Sequence, residues 1–187
     1  MSELIDELLA DARDRMGKSV QATQAEFGTV RTGRASPSLL DRVNVDYYGT
    51  QTPLKQLAGI HAEAQLLTVQ PYDKSSIKAI EKSIRDSDLG LNPSNDGNLI
   101  RLSIPPLTEE RRREMVKVLH NIAEEGRVKI RNVRRDVMHD LRELRKEGEV
   151  GEDEERRAES ELQKVTDERI AELDSHLKGK EAEILEV

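Results

Sequence analysis

The sequence predicts an α+β fold in which a long three-helix bundle carries a small inserted α/β domain. Two observations support this prediction. Three long segments repeat apolar residues every three or four positions, as one face of a helix does, and part of the middle of the chain alternates apolar and polar residues, as a half-buried strand does. We assign residues 1–30 and 106–187 to the bundle, which is therefore discontinuous, and residues 31–105 to the insert.

The first helix is expected over residues 2–30. Ser2 is placed to cap its N-terminus, because a serine hydroxyl accepts a hydrogen bond from a free N–H group of the first turn. Acidic side chains follow directly at Glu3, Asp6 and Glu7, where they favour the positive end of the helix dipole. The predicted buried face consists of Ile5, Leu8, Ala12, Met16, Val20, Thr23, Phe27 and Val30.

The insert is expected to contain three strands and a short helix. The strands are predicted over residues 43–48, 66–69 and 99–104, and the helix over residues 75–85. The run Ser94-Asn95-Asp96-Gly97 is typical of a turn.

Two segments cross between the bundle and the insert, at residues 30–34 and 104–106. Glycine and proline keep both segments out of helix, and domains move relative to one another unless their interface is large and apolar. We therefore expect a hinge here, the alternative being a rigid two-strand connection. The predicted hinge residues are Arg31, Thr32, Gly33, Ile104, Pro105 and Pro106.

Two further helices complete the predicted bundle. One is expected from residue 108 to about residue 146, roughly 58 Å at about 1.5 Å per residue. The other is expected over residues 151–184, after a turn marked by Gly148 and Gly151. The buried face of the first is Met115, Leu119, Ile122, Gly126, Ile130, Val133, Val137, Leu141 and Leu144. That of the second is Ala158, Leu162, Val165, Leu173, Leu177 and Ile184.

The 108–146 helix also carries an arc of arginines, roughly 115° around the helix from its apolar face. Its members are Arg127, Arg131, Arg134, Arg135, Arg142 and Arg145. No acidic residue falls in the arc between the first and last of them, and Asp136, Asp140 and Glu143 lie on the far side of the helix. We therefore expect these arginines to lack the usual ion-pair partners four residues away, and to meet a partner outside the helix.

Charge is unevenly distributed along the chain. The net charge is −7, yet residues 106–148 carry 12 basic and 9 acidic side chains, whereas residues 149–187 carry 6 and 14. A basic ridge beside acidic helices can bind an anionic partner in one orientation while the rest of the surface repels it.

Several kinds of site are missing from the sequence. The absence of cysteine excludes disulfides, thiolate metal sites and a cysteine nucleophile. The four histidines are too far apart for a helical metal motif, and no nucleophile elbow or paired-carboxylate motif occurs. We therefore predict no catalytic residue, metal or cofactor. Without a membrane-spanning apolar run or a targeting segment, the chain is predicted to be cytoplasmic and to bind no membrane. It is also expected to be a monomer.

The scarcity of aromatic residues narrows the choice of partner. Proteins that grip single strands stack bases on aromatic side chains, but this chain has one Phe, three Tyr and no Trp, none of them near the arc. A folded RNA or a DNA duplex, contacted through its phosphates, fits better. We favour structured RNA, because guanidinium groups on a straight helix can follow closely spaced phosphates. The alternatives are an ordinary solvated charged face and a helical adaptor that binds another protein.

Several motifs resemble the bacterial ribosome recycling factors, and the similarity runs along the whole chain. The longest motif is Val30-Arg31-Thr32-Gly33-Arg34-Ala35-Ser36-Pro37-Ser38-Leu39-Leu40. The others include Tyr47-Tyr48-Gly49-Thr50, Thr52-Pro53-Leu54, Ser87-Asp88-Leu89-Gly90-Leu91-Asn92-Pro93, Pro105-Pro106-Leu107-Thr108 and Arg131-Asn132-Val133-Arg134-Arg135-Asp136.

This resemblance implies an L-shaped protein of roughly transfer-RNA outline that binds the ribosome after termination. It further implies that, with elongation factor G and GTP, such a protein helps to split the ribosome into subunits while its bundle contacts large-subunit ribosomal RNA. The RNA-contacting residues implied by the matching motifs are Arg31, Arg131 and Arg134. Arg127 and Arg135 join this predicted set because they lie in the same arc.

Overall fold

A computed structural model describes residues 2–185, which fall into two compact units. One unit comprises the chain up to Arg31 and again from Glu109, and the other comprises Thr32–Thr108. The sequence analysis places the two divisions one and three residues earlier. No helix within the described residues is long and apolar enough to cross a membrane.

Five α-helices and six strands make up the described chain. In order they are α1 (Glu3–Gly28), β1 (Asn44–Tyr47), β2 (Thr50–Pro53), α2 (Leu54–Leu57), β3 (Ala58–Glu63), β4 (Leu66–Pro71), α3 (Ile77–Arg85), β5 (Pro93–Asn95), β6 (Ile100–Ser103), α4 (Glu109–Lys146) and α5 (Glu152–Leu185). Short 3₁₀ helices lie at Pro37–Leu40 and Lys74–Ser76.

Helices α1, α4 and α5 form the first unit around one apolar core. Ser2 caps α1 as predicted, since its hydroxyl oxygen accepts a hydrogen bond from the backbone N–H of Ile5 at 3.5 Å. The helix ends at Gly28, two residues before the predicted end, although Val30 is still buried. Leu9 is buried where the sequence analysis names Leu8, which packs only partly buried against the core.

The apolar faces predicted for the two longer helices are confirmed. Every predicted position of α5 is buried, and the predicted positions of α4 are either buried or packed partly buried against the core. The helices come closest at Gly126 of α4. A Cβ atom there would lie 2.4 Å from Thr23 Oγ1 of α1 and 2.7 Å from Leu173 Cδ1 of α5. The three helices therefore pack at a separation that only glycine permits at this position.

The second unit is built from antiparallel strands and the helix α3. Strands β1 and β2 form a hairpin, and the other four form a sheet in the order β3-β4-β6-β5. The side chains of Ile77, Ile80 and Ile84 on α3 are buried in the core of this unit. The three predicted strands and the predicted helix are present, with bounds shifted by up to two residues.

Three of the strands, β2, β3 and β5, were not predicted, and the prediction of the turn is wrong in part. Ser94 and Asn95 belong to β5, where Asn95 is paired with Ile100 of β6. The turn is shorter and is organised by Asp96, whose carboxylate accepts hydrogen bonds from the backbone N–H groups of Asn98 and Leu99. A polar strand of three residues shows no alternation of apolar and polar side chains. It can therefore be recognised only from its pairing with a neighbouring strand.

The segments that lead into and out of this unit are anchored within it. Thr32 and Ile104 are buried, and the Ile104 N–H donates a hydrogen bond to the Gln65 carbonyl at 2.7 Å. Gly33 has a φ of 77°, and a Cβ atom on it would lie 3.2 Å from Leu107 Cγ. Glycine is therefore favoured there both by its backbone conformation and by the close approach of the second segment.

Candidate nucleic-acid interface

The six arginines of the predicted arc all project from α4, and they separate into two rows. Arg127, Arg134 and Arg145 each reach a side chain of α5, so we call them the inner row. Among the described residues, Arg131, Arg135 and Arg142 form no hydrogen bond or ion pair with α5, and we call them the outer row. The rows follow from helix geometry, because steps of seven and eleven residues return to nearly the same direction around a helix.

Arg127 is the most firmly held member of the inner row. Its side chain is 21% exposed, and its Nε and Nη2 atoms donate to Asp174 Oδ1 at 2.9 and 2.6 Å. A third hydrogen bond runs from Nη1 to Glu124 Oε2 at 3.1 Å. With its donors directed at two carboxylates, Arg127 ties α4 to α5 and offers few free N–H groups to another anion.

The other two inner-row arginines also join α4 to α5. Arg134 Nη1 donates to Gln163 Oε1, while its Nε atom is buried without a hydrogen-bond partner. Arg145 Nη1 donates at 2.8 Å to Glu155 Oε2, and the Glu155 side chain is only 7% exposed. A carboxylate that deeply buried requires a cation beside it, so Arg145 has a structural role at the end of the bundle.

The outer row is more open. Arg131 is 47% exposed and donates to Glu124, an equally exposed carboxylate one turn before Arg127. Arg135 donates a hydrogen bond to the Asn132 side-chain carbonyl at 3.1 Å. Within residues 2–185, Arg142 has no carboxylate partner. Arg131, Arg135 and Arg142 line one open surface depression together with Arg134 of the inner row. Asp136 and Asp140, which were expected on the far side of the helix, also line this depression.

Among the described residues no ion pair of the arc has the i,i+4 spacing, as expected, but three of its six members have acidic partners at other spacings. Arg127 and Arg131 share Glu124, and Arg127 and Arg145 pair with acids of α5. Glu124 lies three residues before Arg127, outside the arc, so the i,i+3 spacing could have revealed it. The partners on α5 depend on how the two helices are aligned, which the α4 sequence alone does not encode.

These contacts favour the ionised form of the Glu124 carboxyl. Hydrogen bonds from Arg127 and then Arg131 hold the pKa of its carboxyl below the usual range. The pair with Arg131 is exposed to solvent at both ends, and exposed ion pairs contribute little to stability. Arg131 can therefore exchange Glu124 for a phosphate at little cost.

Arg31 lies at the end of the first unit and is exposed. Its place in the predicted RNA-binding set rests on its motif, since it contacts none of the α4 arginines. Groups of three or more histidine or acidic side chains with a metal-binding arrangement do not occur among the described residues. What remains is a surface of guanidinium groups, which bind phosphate oxygens by charge-assisted hydrogen bonds and supply no covalent chemistry.

Comparison with known proteins gives consistent results. Residues 23–185 match the family model described as ribosome recycling factor. A ribosome-recycling factor of Rubrobacter xylanophilus is 58% identical over the whole of both chains. That of Bacillus subtilis is 53% identical, covering 97% of this chain and 98% of its own.

Two solved structures are also similar to the chain. A solution structure of a ribosome recycling factor has a TM-score of 0.78 and 44% identity over the full length of both chains. A second, with a TM-score of 0.66 and 50% identity, covers 97% of this chain and 98% of its own. It belongs to models of the T. thermophilus ribosome recycling factor and E. coli elongation factor G bound to the E. coli post-termination complex.

Proposed function

Since this chain belongs to the ribosome recycling factor family, we propose that it recycles ribosomes after termination. It binds ribosomal RNA of the large subunit and, together with elongation factor G and GTP, separates the post-termination ribosome into subunits. The family is one of translation factors, and we assign GTP hydrolysis to elongation factor G rather than to any residue of this chain. Its place of action is the cytoplasm, where it works as a monomer.

The outer row supports the RNA-binding part of this proposal. Arg131 has one exposed partner that is easily exchanged, and Arg135 has only a neutral one. Their guanidinium groups are therefore available for phosphate oxygens, which accept stronger hydrogen bonds than neutral groups do. Arg134 and Arg31 complete the set implied by the family motifs, whereas Arg127 is so fully engaged by α5 that we give it a supporting role.

A splitting experiment with purified components tests the activity. Post-termination ribosomes are mixed with this protein, elongation factor G and GTP, and light scattering or sedimentation follows the appearance of subunits. We expect splitting that requires both proteins and that fails with a GTP analogue that cannot be hydrolysed. Splitting that is no faster with this protein than without it would contradict the proposal.

Movement at the two crossing segments is the second part of the mechanism. We propose that the bundle stays anchored to RNA while the insert swings about residues 31–33 and 104–106. Because the chain has no cysteine, dyes can be placed selectively on Gln51→Cys and Lys178→Cys, one in each unit. Energy transfer between them should change when elongation factor G and GTP join the ribosome-bound factor.

The control pair for this measurement lies within one helix. Arg156→Cys and Lys178→Cys are both on α5, about 33 Å apart at 1.5 Å per residue, so their energy transfer should stay constant. If the inter-unit pair is equally constant through a splitting reaction, movement of the insert is not part of the mechanism.

A further inference from the structure

The second unit exposes two neighbouring tyrosines that the RNA-binding proposal does not use. Tyr48, at the tip of the β1–β2 hairpin, is 81% exposed. Its ring meets that of the half-buried Tyr47 edge to face, with the centroids 4.6 Å apart. Tyr72 is a further exposed ring, at 74%. Large exposed aromatic side chains are enriched at protein interfaces, because they bury much apolar area while keeping a polar tip.

The backbone at Tyr48 is strained. The hairpin loop has two residues, Tyr48 with a φ of 50° and Gly49 with a φ of 84°. Positive φ at both positions is the type I′ turn, whose preferred first residue is asparagine. A bulky residue in this conformation is an outlier, and outliers of this kind cluster at functional sites. Because Tyr48 is so exposed, the packing of its ring offsets little of this strain.

A hydrogen-bond network holds the two rings in place. The Tyr47 hydroxyl donates to Asp73 Oδ2 at 3.2 Å, and the backbone N–H of Ser75 donates to Asp73 Oδ1 at 2.9 Å. The Tyr48 and Ser75 hydroxyls lie 3.5 Å apart. Hydrogen bonds from Ser75, and then from Tyr47, lower the pKa of the Asp73 carboxyl and so favour its negative form. The rings thus lie beside a fixed negative charge.

The charge near the two rings indicates which class of macromolecule they can bind. The carboxylate of Asp73 accepts a hydrogen bond from the Tyr47 hydroxyl, and Asp46 precedes Tyr47 in the chain. Platforms that stack nucleic-acid bases lie in positively charged grooves, so RNA is disfavoured here. A cationic side chain, in contrast, is attracted both by the face of a tyrosine ring and by a neighbouring carboxylate.

We propose that Tyr47, Tyr48 and Asp73 form a docking surface for a protein that presents an arginine or lysine side chain. The inference rests on the proposed function. In that function, the partner is a protein of the post-termination complex to which elongation factor G is bound. The chain then has two separate contact surfaces, outer-row arginines on the bundle for RNA and this tyrosine surface on the insert for protein.

Tyr48→Asn tests the role of the ring. Asparagine suits the type I′ turn, so this variant should be at least as stable to heat as the wild type. We expect the concentration of factor that gives half-maximal splitting to rise by at least about 10-fold, as when a central interface residue is lost. The matched control is Ala64→Asn, because Ala64 also has a φ of 50° in the same unit but lies away from the tyrosines along the chain. It should split ribosomes within about twofold of wild type.

A pair of charge variants at the adjacent Thr50 tests the nature of the partner independently of folding at Tyr48. Thr50 is exposed and pairs with Tyr47 across the hairpin. With a basic protein partner, Thr50→Lys should raise the half-maximal concentration and Thr50→Glu should lower it. An RNA partner would produce the opposite order, and either that order or equal values would overturn the proposal.

These outcomes are separable from failure of the proposed function. If the wild-type protein neither binds large subunits nor splits ribosomes, the proposed function itself is wrong. An active wild type with an equally active Tyr48→Asn variant would overturn only the docking surface.

Discussion

Replacing Gly126 with alanine is expected to lower the free energy of unfolding of the bundle by about 2 kcal/mol. The added Cβ would lie 2.4 Å from Thr23 Oγ1 and 2.7 Å from Leu173 Cδ1, well inside normal contact distances. Neither neighbour moves freely. Thr23 Oγ1 donates a hydrogen bond to the Ser19 carbonyl at 2.8 Å, and Leu173 is buried in the core. The helices must therefore separate at their closest point.

Gly179→Ala is the matched control for this prediction. Gly179 also lies inside a long helix, α5, but nothing approaches the position of its Cβ within 4 Å. Alanine there should stabilise the protein by up to about 1 kcal/mol, which is the helix-propensity difference between the two residues. Urea unfolding followed by far-UV circular dichroism measures both effects. Equal stabilisation by the two substitutions would show that Gly126 is not a packing constraint.

The bundle could be predicted from the sequence because each of its helices carries a long, strongly periodic apolar face. Gly126 falls in the predicted face of α4, so its burial could be foreseen. Its contacts with Thr23 and Leu173 could not, since they depend on how far apart three helices lie. Local pattern identifies which residues point inward, and tertiary packing decides which of them must be small.

The insert was harder to predict because its strands are short and several are polar. Strand β2 consists of Thr50, Gln51, Thr52 and Pro53, which show no alternation of apolar and polar residues. It is a strand because β1 pairs with it across a two-residue turn. Such a strand is stabilised by pairing with its partner strand, and the sequence of one segment does not reveal that pairing.

The candidate site was only partly predictable for a related reason. A helical projection correctly places the six arginines on one side of α4. It cannot show that Asp174, Gln163 and Glu155 of α5 occupy three of them. The separation into an inner and an outer row appears only when the two helices are packed together, and it changes which arginines are expected to meet RNA.

Changing Arg131 and Arg135 together to alanine is expected to weaken binding to the large ribosomal subunit by about 100-fold at low salt. Charge-assisted hydrogen bonds to phosphate account for roughly a tenfold loss each. Folding should be little affected, because both side chains are exposed and neither is held by α5. Thermal unfolding of the double variant should therefore match that of the wild type.

The matched control removes two cations from α5 instead of α4. Arg156 and Lys164 on α5 are exposed, and each is paired with an acid of its own helix, Glu152 and Glu161. Changing both to alanine alters the net charge by the same amount as the arginine double variant. Its affinity for the large subunit should stay within about threefold of wild type, since long-range charge effects are screened beyond roughly 10 Å at 0.1 M salt.

The salt dependence of large-subunit binding tests the central claim most directly. For each protein, the logarithm of the binding constant is measured against the logarithm of the salt concentration. If Arg131 and Arg135 each contact a phosphate, their double substitution lowers the magnitude of the slope by about two, and the Arg156 and Lys164 control leaves it unchanged. A slope for the arginine double variant equal to that of the wild type would show that Arg131 and Arg135 do not contact ribosomal RNA.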